Sequence, residues 1–570
     1  MSNAHPSSPL EVLIRYRIWV LLALAFLAYI PTLDLRDMWY PDEPDIAEVC
    51  QAMYNSGDWI SPRRIGVIWV DYPPMIYWTA TIASHLLGGV SEFSLRLPTA
   101  LAGILLVLLT CAVVSRWVNR WAGLVAGLML LTFTQFVYNA VSYRPDIQFS
   151  LMVTVGMFVY AAGAGNRPRW WMKAAGFAFF GLAMLSKGPL GLLLPGLVLT
   201  LWHGARREWR SILWLAPLSL VALAVYLPWF VACAKAMGSD NILHELFAQN
   251  IERFYAAKRG HEKPVYYYAG KIWLDLAPWS PLLPFALWSI YRRKLWHDRH
   301  VQLVLWWLGT FFIFLSMAVT KRQLYMIPAY PAAAMIMAMF IAPPSPRPDA
   351  NEAGGTNRVL NIFISAVAFL LLLLGAAALI GVVGFTPIVS RFTLDAHQSQ
   401  VVHGLRLPVA VICVALFASA WWIGRAWRRE HIHAGILRVG VGHVVLYGLV
   451  LGLAAPAMNP TKSYKPQCEW IRAQIGDSTR IGLINPRRGY HKRGAFGFYT
   501  HTLVDLLKTP EEVEAFFERH PRSVVLVQDK ATASIYAGHE AAWRARVIGR
   551  LQTGKYRYEV VKAAPAGTDK

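Results

Sequence analysis

The chain is poor in cysteine, in acidic residues and in internal repetition. It has 5 cysteines, Cys50, Cys111, Cys233, Cys413 and Cys468, scattered without a CxxC or other metal-ligand spacing. That argues against a disulfide framework and against a cysteine-built metal centre. Asp and Glu number 33 against 55 Lys and Arg, for a net charge of +22. No repeat is visible, whereas many transporters are built from paired repeats around mid-membrane charges. A cleavage site is lacking too: the first apolar run leads straight into Asp34–Asp37 with no small-residue motif. The run is therefore expected to stay as an uncleaved first span.

What the chain has in quantity is hydrophobicity. Mean hydropathy is +0.38 and 56% of residues are hydrophobic, the composition of a polytopic α-helical membrane protein. Apolar runs fall at 17–33, 97–115, 121–138, 147–164, 171–186, 188–203, 212–234, 277–291, 302–319, 325–341, 359–385, 407–424 and 434–455. They predict about thirteen spans. In a soluble protein the positive charge would suggest nucleic acid. Here it sits in loops, where it sets topology and meets anionic membrane lipids, so no nucleic-acid partner is expected.

Met75–Leu87 decides the sidedness of everything after it. If it lies in the membrane plane, Arg15/Arg17, Arg116/Arg120, Arg167/Arg169/Lys173, Arg206/Arg207/Arg210, Arg292–Lys294 and Arg425/Arg428/Arg429 share one side. That is the pattern of cytoplasmic loops. Its Pro73–Pro74 start and Tyr77/Trp78 also suit an in-plane juxtamembrane helix. The expected organisation is a catalytic membrane region over 1–341 with outer loops 34–96 and 235–276, a cytoplasmic Pro/Gly-rich linker 342–357, further spans over 358–456, and a C-terminal domain over 457–570. In that last part Glu469–Ile475 and Glu511–Arg519 read as helices, and Arg480–Ile484, Ser523–Gln528 and Tyr556–Val561 as strands. A small periplasmic α/β domain follows.

The outer side collects the polar motifs. Asp34–Trp78 holds Asp42, Glu43, Asp45, Glu48 and Asp71 among Trp39, Tyr40, Trp59, Trp69, Tyr72, Tyr77 and Trp78. Clustered carboxylates repel one another, so they call for a cation, a mobile proton or a cationic substrate. To this side also belong Tyr143–Asp146 (YRPD), Leu185–Pro189 (LSKGP), the 235–276 loop with Arg253, Arg259 and His261, and Thr320–Pro328 (TKRQLYMIP). Each has a plain reading: a solvated loop, an interfacial Arg–Asp pair, a snorkelling lysine, an amphipathic interfacial helix. Together they describe one outer pocket with carboxylates from one loop and cations from several others. A sugar donor on a lipid phosphate fits both halves.

Asp42–Glu43, GDWISP (Gly57–Pro62), DYPPMIYW (Asp71–Trp78), SEFSLRLPTAL (Ser91–Leu101), YRPD, LSKGP, NIERF (Asn250–Phe254), KPVYYY, PW (Pro278–Trp279) and KRQLYMIP stand in an order that resembles one family. It is that of the bacterial undecaprenyl-phosphate aminoarabinose:lipid A transferases, of the C-type glycosyltransferase superfamily that includes the protein O-mannosyltransferases. The resemblance covers about residues 10–330; the tail is similar in architecture alone. It implies the C-type glycosyltransferase fold in the bacterial inner membrane, with active site and C-terminal domain periplasmic. It implies an inverting transfer of a sugar, such as 4-amino-4-deoxy-L-arabinose, from undecaprenyl phosphate to lipid A or a similar glycolipid, without a nucleotide sugar and by a monomer.

By this resemblance Asp42, Glu43 and Asp146 are the expected catalytic residues, with Asp42 and Asp71 candidate ligands of a divalent ion (zinc, magnesium or manganese). Asp45, Arg63, Tyr72, Arg144, Lys187, Arg253, Arg259, Lys321 and Tyr325 are expected to bind substrate. The chain departs from the family where Glu43-Pro44-Asp45-Ile46 replaces Glu-x-Arg-Tyr, and where Asp71-Tyr72-Pro73 replaces Glu-Lys-Pro. Two cations of the family's donor-phosphate site are thus absent; Arg63, Arg64, Lys187, Arg253, Arg259 or Lys321 are the substitutes at hand, and Asp45 would suit an amine on the sugar. The alternatives are a polyprenyl-phosphate-sugar transferase acting on protein Ser/Thr or another glycoconjugate, and a transporter.

Overall fold

A computed structural model describes residues 9–39, 43–64, 67–165, 167–237, 262–342, 350–383, 396–427, 432–476, 480–484, 490–529, 531–532, 544, 546–553 and 556–563. The first span, α1 (Arg17–Tyr29), is followed by the acidic loop and its amphipathic helix α2 (Glu43–Ser56). A short antiparallel pair, β1 (Arg63–Arg64) and β2 (Val67–Ile68), precedes α3 (Met75–Leu86). This α3 is the ambiguous segment of the sequence. At 12 residues it extends about 18 Å, too short to cross a bilayer core of about 30 Å. Its Ile76, Tyr77 and Ala80 are buried in the same cluster as Ile46, Val49 and Met53 of α2.

The bundle continues with α4 (Glu92–Trp117), α5 (Arg120–Thr132), α6 (Asp146–Gly163), α7 (Trp170–Lys187), α8 (Leu190–Ala205) and α9 (Trp209–Met237). Then come the short α10 (Tyr267–Asp275) and α11 (Leu282–Arg292), followed by α12 (Arg299–Met317), α13 (Tyr330–Ile341), α14 (Ala350–Val383), α15 (Ala396–Trp427) and α16 (Ile432–Leu449). Among the described residues, 8 helices are long and apolar enough to span a membrane, or up to 10 if each sharply bent pair is one span. The difference from about thirteen apolar runs has a physical source. Hydropathy ignores breaks and helix length: run 121–138 is two helices meeting at 68°, run 277–291 contains a helix of 11 residues, and run 188–203 one of 16 residues. The linker differs as well, since α14 already covers 350–357.

Local packing sets the site. The antiparallel pair α6–α7 crosses closely where a Cβ on Gly156 would lie 2.8 Å from the Gly176 carbonyl, and one on Gly176 2.9 Å from the Gly156 carbonyl. Small residues let membrane helices approach to this distance. The hairpin therefore delivers the first residue of α6, Asp146, and the last of α7, Lys187, to one end of the bundle.

At that end lies the C-terminal unit: α17 (Lys465–Ile475), β3 (Arg480–Ile484), α18 (Tyr490–Thr500), β4 (Leu503–Leu507), α19 (Pro510–Arg519), β5 (Val524–Gln528), β6 (Val547–Thr553) and β7 (Tyr556–Lys562). The sheet order is β4-β3-β5-β7-β6. β3 pairs in parallel with β4 and β5, and β7 runs antiparallel to both β5 and β6. β5 is buried along its whole length, as expected of a central strand covered on both faces.

Candidate active site

Two polar clusters meet at this end. The first is centred on Glu43, at the start of α2. Its carboxylate accepts from Arg36 (2.7 and 3.0 Å), Arg96 (3.1 and 3.0 Å), the Tyr143 amide (2.9 Å) and the Trp39 amide (3.3 Å). Arg96, in the first turns of α4, is fully buried and also donates to the carbonyls of Leu33 (2.7 Å), Arg36 (2.5 Å) and Asp37 (2.9 Å). One side chain thus ties the turn before α2 to the bundle. Burial alone would raise the Glu43 carboxyl, but Arg36 and Arg96 overcome it and hold the group well below the usual carboxylate range. The expected catalytic Glu43 is therefore an ionised anchor, with both oxygens engaged by buried donors.

The second cluster joins three residues that sequence reasoning singled out. Lys187 Nζ donates to Asp146 Oδ1, and the same ammonium stands 4.7 Å from the centre of the Tyr325 ring and 5.7 Å from that of Phe149. Tyr143 belongs to the first cluster and Asp146 to the second. Three residues of chain reach at most about 11 Å, so the YRPD turn holds the clusters side by side. Between them Arg144 lies 5.8 Å from the Tyr138 ring centre.

Lys321 is buried and donates to the carbonyls of Lys263 (2.9 Å) and Ala318. The segment after it is pinned by Asp275, which sequence reasoning missed: this buried carboxylate accepts from Gln323 and from the Tyr330 hydroxyl (3.0 Å). Burial pushes Asp275 up to about 6, against those hydrogen bonds. An acid beside the Pro278–Trp279 motif was the available signal.

Other expectations fall elsewhere. Asp45, a candidate for the sugar amine, accepts instead from Arg64 (2.6 Å), whose Nε lies 3.5 Å from Glu48. Both acids face α18, where a Cβ on Gly494 would stand 2.4 Å from Asp45 Oδ1. That side of α2 is covered by α18, so the described contacts of Asp45 are with Arg64 and the C-terminal unit. Arg63 pairs with Asp58 at 3.3 Å on a half-exposed edge. Tyr72 packs on the cluster shared by α2, α3 and the C-terminal unit; burial raises the Tyr77 phenol, and Asp71 is near enough to add to the rise. Asp42, Arg253 and Arg259 lie outside the described residues.

These surroundings bear on a metal ion. Among the described residues no group of three or more His, Cys, Asp or Glu side chains is gathered to hold one. Glu43, Asp45 and Glu48 are each engaged by arginine. Those three carboxylates have guanidinium groups as their countercharge; of the two expected ligands, Asp42 lies outside the described residues.

Apart from the clusters, an apolar groove of ≈ 530 Å³ runs between α8 and α12, lined by Leu197, Leu201, Leu305, Gly309, Ile313 and Phe314 among others, its α8 residues lying in the half of that helix farther from Lys187. α8 begins just after Lys187 and α12 ends just before Lys321.

Comparison with known proteins gives three findings. Residues 71–231 match the family model described as dolichyl-phosphate-mannose-protein mannosyltransferase. The chain is similar to the undecaprenyl phosphate-alpha-4-amino-4-deoxy-L-arabinose arabinosyl transferase of Pseudomonas paraeruginosa, with 31% identity over 366 residues, 62% of this chain and 65% of that one. It is 31% identical over 335 residues to the transferase of the same name from Pseudomonas aeruginosa, 57% of this chain and 59% of the relative. The matched stretch thus spans less than two thirds of these relatives' length. The crystal structure of ArnT from Cupriavidus metallidurans bound to undecaprenyl phosphate superposes with a TM-score of 0.72 at 19% identity, covering 95% of this chain and 97% of that one. The chain has the ArnT fold, a polytopic helical bundle.

Proposed function

We propose that the chain is an inverting glycosyltransferase that moves a sugar from undecaprenyl phosphate to a phosphate of lipid A or a similar glycolipid. The reaction would take place at the periplasmic face of a bacterial inner membrane. The observation that carries this reading is the Asp146–Lys187–Tyr325 cluster, a cation held by a carboxylate at the end of the helix bundle, where the phosphate of a lipid-linked donor would lie. The matched arabinosyl transferases, named for a lipid-linked amino sugar, support the same substrate class. The basic loops at the opposite end support the orientation.

The chemistry follows from charge. A phosphomonoester acceptor is largely dianionic at neutral pH, its second pKa being about 6, so its oxygen attacks the anomeric carbon without a general base. As that bond forms, the bond from the anomeric carbon to the donor phosphate oxygen breaks. Polyprenyl phosphate leaves with the electron pair. Lys187 and Lys321 supply positive charge to the departing phosphate, and Asp146 orients Lys187. Asp42 steadies the oxocarbenium-like centre. Were the acceptor a protein hydroxyl, the chemistry named by the matched mannosyltransferase family model, Asp42 would serve as general base.

Mass spectrometry of lipid A from cells with and without the chain tests the reading. A pentosamine-sized increment that depends on the chain is expected. Unchanged lipid A together with label transferred to protein would favour the hydroxyl reading.

A further inference from the structure

The residues on either side of 40–42 are held from the C-terminal unit and the short helix that leads into it. Upstream, the Met38 amide donates to the Tyr499 hydroxyl at 2.7 Å. That hydroxyl donates in turn to Glu92 Oε1 at 3.2 Å, where Lys465 Nζ also donates at 3.0 Å. Asn459 Oδ1 accepts from the Asp37 amide (3.3 Å) and from the Trp39 indole (2.9 Å). Downstream, Gly494 and Gly497 of α18 sit against Asp45 and Glu48 of α2. A Cβ on Gly494 would come within 2.9 Å of Asp45 Cα, and one on Gly497 within 3.3 Å of Glu48 Oε1. The apolar side chains agree: Met38, Ile46, Val49, Cys50 and Met53 share one buried cluster with Tyr464, Cys468, Phe496 and Phe498.

The acidic loop and the C-terminal unit therefore have one core between them. A domain that merely hung from the membrane region would leave the Asp37, Met38 and Trp39 donors to water. Here each of the three ends on a side chain that lies more than four hundred positions later in the sequence, at separations of 422, 461 and 420 residues.

We infer that Tyr499 of the C-terminal unit and Asn459, in the short helix that leads into it, are positioning residues: together they set the geometry of the first loop, and turnover depends on this grip although neither side chain belongs to the two polar clusters. The inference rests on the transfer reaction proposed above for its kinetic arm. Its structural arm is independent of that reaction.

The test uses the full-length chain with variants Tyr499→Phe, Asn459→Leu and Asn459→Asp, the last of which keeps an oxygen acceptor. Amide hydrogen exchange at Asp37 and Met38 and initial rates with an undecaprenyl-phosphate-linked amino sugar are measured on each. Expected are faster exchange at those amides in Tyr499→Phe and Asn459→Leu, and a kcat lower by about 10- to 100-fold, the cost of a small misplacement near the chemistry. KM should stay near wild type, the melting temperature should fall only modestly and out of proportion to the rate, and Asn459→Asp should recover most of the rate. Unaltered exchange overturns the inference. So does loosened exchange with unaltered kcat, or a fall in rate that follows the melting temperature and is not recovered by Asn459→Asp. A wild-type chain that transfers nothing would remove the proposed reaction and leave the exchange result to decide the grip.

Discussion

Arg96 and Glu43, 53 residues apart in sequence, are joined by hydrogen bonds of 3.1 and 3.0 Å with both side chains buried. The pair links the first turns of α4 to the first residue of α2, and the remaining Arg96 donors hold the chain that runs between α1 and α2. Removing one partner of a buried, hydrogen-bonded ion pair leaves the other charge uncompensated, at about 3–5 kcal/mol. Arg96→Met should destabilise by that order in thermal unfolding in detergent. Glu43→Gln should be damaged at least as much, because it takes the countercharge from two buried guanidinium groups, Arg36 and Arg96, at once.

Lys187 bears on donor binding. Lys187→Ala removes the cation at the end of the bundle and leaves Asp146 without that donor, so affinity for undecaprenyl phosphate should fall about tenfold or more, the effect of a charged hydrogen bond worth about 1.5–3 kcal/mol. Equilibrium binding of the lipid phosphate to the purified chain measures this. Unchanged affinity would remove Lys187 from the phosphate site.

Glu48 gives the α2–α18 contact a pH dependence. Burial pushes its carboxyl up to about 7, with Arg64 and Arg493 opposing and Asp45 adding to the rise. An unfolded glutamate releases its proton near about 4.3, so between that value and about 7 the folded chain carries a proton that the unfolded chain has lost. Stability from this group is therefore present at low pH and declines as pH rises through 7. Melting of the C-terminal unit should fall from pH 5 to pH 8, and Glu48→Gln should flatten the slope.

Asp275 should behave differently under two substitutions. Asn keeps one acceptor oxygen for the Gln323 amide and turns its own NH2 to the Tyr330 hydroxyl, which can accept, while removing a charge that burial disfavours. Asp275→Asn is expected to fold and turn over near wild type. Asp275→Ala leaves buried donors unsatisfied at about 1–3 kcal/mol, and should lower the melting temperature and loosen exchange over Gln323–Ala329.

Much of this was legible in the sequence because it follows from hydropathy and from local order. Arg480–Ile484 is a strand with the boundaries its β-branched pattern predicts, and α17 and α19 contain the predicted helices. The meeting of Asp146, Lys187 and Tyr325 follows from placing three motifs at one membrane face. What escaped depends on long-range packing. The glycines of α18 meet Asp45 and Glu48, a contact that no local pattern announces. Asp45 looked available for substrate because its partner Arg64 is 19 residues away. Arg96 offered a signal that went unused: an arginine inside an apolar helix needs partners, and so points to what it holds.

The central claim is tested most directly by reconstituted transfer. The purified chain in vesicles, given an undecaprenyl-phosphate-linked amino sugar and lipid A, is followed by mass spectrometry of the acceptor alongside an Asp42→Asn variant. The account predicts a sugar-sized increment with the wild type and none with a normally folded Asp42→Asn chain. An equal rate in the variant would contradict it.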